Sequence, residues 1–165
     1  MNAYQAWAGI SHDLNHEILE TTYSGNKKLY RLLLDDMAKN LRRRVVALQI
    51  MPRRERHLLF RPLLAQPQLH VIAQNLLMFW LSERQTAMLC QFLGALGIAH
   101  DDKGCAETFP ETVDPAKLTE AVQRLYTDFP EETVSLYLAT FDVLSGRSWP
   151  ELPPLVRPLP ESVNP

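Results

Sequence analysis

Cysteine is almost missing from this chain: two occur in 165 residues, Cys90 and Cys105. They form no CxxC pair, which excludes a disulfide-stapled scaffold and a cysteine-based zinc site. Glycine is scarce too, at six, and none is arranged as a phosphate-cradling loop. No long apolar run occurs. The most hydrophobic stretch, residues 71–81, is far shorter than the roughly 20 residues of a membrane span. The first twenty residues mix Trp7 and Ile10 with Asp13, Glu17 and Glu20, unlike a secretory leader. A net charge of only -2 removes any global electrostatic pull toward nucleic acid or membrane. The expectation is a cytoplasmic protein with no cofactor and no membrane partner.

What remains is a foldable composition, 46% hydrophobic and 22% charged. A chain of this length buries about 70% of its unfolded surface, enough for one core. Apolar residues recur at spacings of three and four through most of the sequence. Ala3, Trp7, Ile10, Leu14 and Ile18 form one stripe; Leu29, Leu33, Met37, Leu41, Val45 and Leu48 form the next, predicting a helix that runs on to Met51. Residues 45–50 alone would also suit a strand, but the continuing period favours helix. Asn26, Asp114-Pro115 and Pro130 mark helix starts, Gly97 and Gly146 mark stops, and Ser82 with Gln85 suggests a capping box. Pro62 is expected to limit the helix opened at Pro52.

The fold class read from this pattern is all-α: a compact bundle of about six or seven helices, or stacked helical hairpins. A single helical domain is expected over 1–146. Six of the twelve prolines fall within residues 150–165. The segment 147–165 therefore reads as an extended arm, packed on the body or on a partner subunit.

Charge is unevenly spread. Residues 1–82 carry 11 Lys/Arg against 6 Asp/Glu, and residues 83–165 carry 6 against 13. The basic excess lies in 39–61, where Arg42, Arg43, Arg44, Arg53, Arg54 and Arg56 flank Pro52 and form a candidate anion site. His12, His16 and Glu20 follow one another at intervals of four and share a helix face, a candidate metal site. That face lies opposite the apolar stripe and is expected to meet solvent. The sequence there is HDLNH, without the general-base glutamate of HExxH. His57 and His70 lack a fixed-spacing partner and read as packing residues. The loop His100, Asp101, Asp102 and Cys105 gathers polar side chains around a turn glycine but lacks an orienting third group for a Cys–His dyad.

No reaction class emerges. An interaction or assembly module is the leading expectation, with another protein or a second copy of the chain, as a homodimer, for partner. Nucleic-acid or phosphate binding through the basic corner is the first alternative. Metal binding or catalysis, through His12 and His16 or the 100–105 loop, is the second.

Overall fold

The computed structural model describes residues 1–160, which contain nine α-helices, two 3-10 turns and no strand. The last part of the expected arm, 161–165, lies outside the described residues. The chain divides into two compact units, one of Asn2–Trp80 and one of Leu81–Pro165 with Met1. The first holds α1 (Ala3–Gly9), α2 (His12–Gly25), α3 (Lys27–Asn40), α4 (Val45–Gln49), α5 (Arg53–Leu64), a 3-10 turn at Pro67–Leu69 and most of α6 (His70–Arg84). The second holds α7 (Thr86–Ala95), α8 (Pro115–Asp128), α9 (Glu131–Ser145) and a 3-10 turn at Pro153–Leu155.

The all-α expectation holds, but there are more helices than the periodicity implies because two apolar stripes run across breaks. At the first break Ile10 is extended yet fully buried, so the stripe continues while the backbone does not. Ser11 restarts the helix by accepting the Leu14 N–H at 3.2 Å. At the second, α3 stops at Asn40 instead of running to Met51. Arg42 takes a left-handed φ of 51°. The Arg43 N–H donates to the Ala38 carbonyl at 2.9 Å and the Arg42 N–H to that of Lys39 at 3.2 Å. This is the Schellman closure that glycine normally terminates.

Two smaller expectations also fail. Ser82 lies inside α6, and Gln85 caps α7 without a side-chain bond, so no capping box forms there. Pro62 sits within the last turn of α5, where its missing N–H removes one hydrogen bond without ending the helix. Asn26 and Asp114 cap as the sequence indicates, accepting from Leu29 and Ala116 at 2.9 Å. Gly97 and Gly146 both adopt positive φ at helix ends.

In the N-terminal unit α5 packs against α1, α2 and α3. Trp7, Ile10, Ile18, Leu33, Met37, Phe60, Leu64 and Trp80 are fully buried, each large side chain contributing about 1.5–3 kcal/mol by leaving water. Because α5 is central, its inward face must carry whatever stands at 56, 57, 60 and 64, and two of those residues are Arg56 and His57. The C-terminal unit is centred on Phe92, Phe141 and Trp149, with Tyr137 and Phe109 packed edge-on. Trp149 is buried and donates its indole N–H to the Pro110 carbonyl at 3.1 Å.

Candidate metal centre

His16 and Glu20 lie one turn apart on α2, and α5 brings His57 to them from a distant part of the sequence. One donor atom from each of the three lies within 4.8 Å of the other two. The Nδ1 atoms of His16 and His57 are 2.8 Å apart, with ring centroids at 4.9 Å. A contact that short between two ring nitrogens requires one proton between them. On its other side, His57 Nε2 is 2.9 Å from the Tyr30 hydroxyl of α3. The backbone at His57 is pinned as well: its carbonyl accepts from the buried Asn15 amide at 3.0 Å.

Charge around the cluster is set by α5. Arg53 Nε stands 3.1 Å from Glu20 Oε2, off the hydrogen-bonding direction, so that this buried carboxylate oxygen has ion pairing but no hydrogen bond. The Arg53 guanidinium also lies over the Tyr23 ring, 4.6 Å from its centroid. Arg56 is buried and donates to the carbonyls of Leu48 and Gln49 at 2.9 and 3.3 Å, tying α5 to the end of α4; its guanidinium lies over the Tyr30 ring, 5.4 Å from the centroid, and its Nε makes no hydrogen bond. Burial, then the neighbouring His16, Arg56 and Arg53, push the His57 imidazole down to about 3. It is therefore neutral at pH 7, the form that ligates metals. Burial outweighs Arg56 at Tyr30 and raises the phenol to about 12, so it too is neutral and can either donate or accept.

Comparison with protein-family models, curated proteins and solved structures found no match. The chemistry of the site must be read from its own residues.

Of the candidate metal residues, His16 and Glu20 are brought together, while His12, the first residue of α2, is exposed and outside the three-residue group. The stripe they share does not simply face solvent: His16 and Glu20 are half-buried under α5. His57 is the residue that sequence spacing missed. No local signal announces it, although a histidine on the apolar face of α5, in register with Phe60 and Leu64, is a weak one.

The six arginines of the basic corner separate. Arg53 and Arg54 pair with Glu20 and Asp13 of α2, the latter at 2.8 Å, and Arg56 is internal. Arg42, Arg43 and Arg44 stay exposed on the turn after α3. In the loop, Asp101 Oδ1 accepts the backbone N–H groups of Lys103 and Cys105 at 2.9 and 2.8 Å. The Cys105 bond is the main reason the Asp101 carboxyl lies below its ordinary value. His100 Nδ1 contacts the Asp101 carbonyl at 2.8 Å, and Cys105 is exposed. These bonds close the loop on itself.

Proposed function

We propose that the protein is a metal-binding helical protein, in which His16, Glu20 and His57 hold one divalent first-row transition ion. The observation that carries this reading is the convergence of two imidazoles and the Glu20 carboxylate, one donor atom of each within 4.8 Å of the others; Oε2 of that carboxylate is buried beside Arg53 without a hydrogen bond. Two nitrogens and one oxygen suit zinc, cobalt or nickel better than calcium or magnesium, which take mostly oxygen. Three protein ligands leave at least one position for water or another ligand.

The Tyr30 hydroxyl behind His57 supports the same reading. With Nδ1 of His57 as ligand, its proton belongs on Nε2, where the Tyr30 oxygen 2.9 Å away accepts it and fixes the ring. The general interaction-module reading accounts for none of these buried polar groups. Arg53 and Arg56 oppose a dication, which keeps the expected affinity in the micromolar range, about 1–10 μM, rather than nanomolar.

Calorimetry on chelator-stripped full-length protein with zinc, cobalt, nickel and manganese tests it. One equivalent should bind, with His16→Gln and Glu20→Gln each weakening the affinity at least about tenfold and His12→Gln leaving it unchanged. Binding weaker than about 100 μM, or binding insensitive to both site variants while circular dichroism shows them folded, refutes the proposal.

A further inference from the structure

The arginine turn between α3 and α4 points to a different partner. We infer that Lys39, Arg42, Arg43 and Arg44, with Val46 and Ile50, form a contact surface for an anionic phospholipid bilayer. The inference is independent of the metal site, since none of these residues belongs to it.

Four cations come together here: Lys39, Arg42, Arg43 and Arg44 line one shallow hollow with Asp35, Ala38 and Val45. Asp36 lies 3.8 Å from Lys39, but Arg42, Arg43 and Arg44 have no ion-pair partner among the described residues. Two and six residues past Arg44, at the two ends of the short α4, stand the two most exposed large aliphatic residues described, Val46 at 65% and Ile50 at 81%. They are four apart, on the side of α4 opposite the buried Leu48.

A nucleic-acid backbone satisfies the arginines and offers nothing to Ile50 and Val46. An anionic bilayer satisfies both, since lipid phosphates and carboxylates lie directly above an apolar layer. Four Lys/Arg stand at the lower end of the cluster size that recognises acidic lipid, with Asp35 in the hollow and Asp36 beside Lys39 offsetting part of their charge. Backbone geometry agrees. Arg42 occupies a left-handed position that glycine adopts without strain, as Gly97 does in the same closure at the end of α7. The chain carries a guanidinium there at a conformational cost. The expectation of no membrane partner rests on the missing apolar span and on a net charge of only -2, neither of which bears on a local cluster of cations. No helix among the described residues can cross a membrane; a surface contact requires none.

Co-sedimentation of the full-length protein with vesicles of neutral phosphatidylcholine, and with vesicles containing 30% phosphatidylserine, tests the inference. Binding to the acidic vesicles only, weakening as salt is raised, is the expected result. Each cation contributes about fivefold, so Arg43→Gln with Arg44→Gln should lower partitioning about 25-fold. Ile50→Ser should lower it about fivefold. All three positions are exposed, and circular dichroism checks the fold. No binding to acidic vesicles overturns the inference. So does tighter binding to single- or double-stranded nucleic acid that survives Ile50→Ser, which would assign the arginines to phosphate alone.

Discussion

Acidification should destabilise the N-terminal unit through His57 before most carboxylates titrate. The perturbation is a fall in pH from 7 to 4.5 in chelator-treated protein. In the unfolded chain this imidazole titrates near 6.5; in the fold it is held down to about 3, first by burial and then by His16, Arg56 and Arg53. The folded value is depressed, so between these limits the unfolded state binds the extra proton. Stability therefore rises with pH across the window from about 3 to 6.5 and is complete above it. The slope approaches about 1.4 kcal/mol per pH unit, which gives a loss of about 2–3 kcal/mol at pH 4.5. For a domain stable by about 5–15 kcal/mol, that is a large fraction.

Urea unfolding read by tryptophan fluorescence measures it. Trp149 belongs to the C-terminal unit, so a Trp149→Phe background leaves Trp7 and Trp80 to report the N-terminal unit. Comparison with His57→Gln in that background removes the contribution of carboxylates common to both proteins. The wild-type curve should fall more steeply than the variant between pH 6.5 and 4.5. Parallel curves would refute the claim that the fold holds this imidazole neutral.

Three further substitutions test the site and the helix ends. Arg53→Met frees Glu20 from its ion pair and removes a positive neighbour of the proposed cation, so zinc affinity should rise about tenfold by calorimetry; the effect is modest because Arg53 is 49% exposed. Arg42→Gly should raise the urea-derived stability by about 1 kcal/mol by relieving the left-handed arginine, and Gly97→Ala should lower it by a similar amount, since φ is 70° there and no neighbour obstructs a methyl group.

The helical fold was legible because its signal is local. The three-and-four spacing of Trp7, Ile18, Leu33, Met37, Phe92 and Phe141 reports burial on one side of each segment, and all six are buried. The breaks were less legible because burial does not require helical continuity. Ile10 stays in the core while its backbone is extended, and the stripe of α3 runs on into Leu48 after a turn built on Arg42. An arginine in the position of a C-terminal glycine gives no stop signal to a reader of composition. Ser11 does not read as a restart, because the apolar period continues through Ile10 and Leu14 on either side of it.

The candidate site divides along the same line. His16 and Glu20 could be paired because one helix fixes their spacing, and that rule also drew in His12, which is one turn too far from the α5 contact. His57 could not be reached by spacing, since its approach to His16 depends on how α5 packs over α2. Its neighbours nonetheless carried a clue. Arg56 and His57 occupy consecutive positions on a helix whose other inward residues are Phe60 and Leu64. A buried cation and a buried imidazole are costly without partners, so their place on the apolar face required a polar constellation inside the unit. Asn15, Tyr30, Glu20 and the carbonyls of Leu48 and Gln49 supply it in part, while Glu20 Oε2 and Arg56 Nε still lack hydrogen bonds. Arg53 already pairs with Glu20, and Arg56 adds a second positive neighbour of His57, so both would limit how tightly a cation in the proposed site is held.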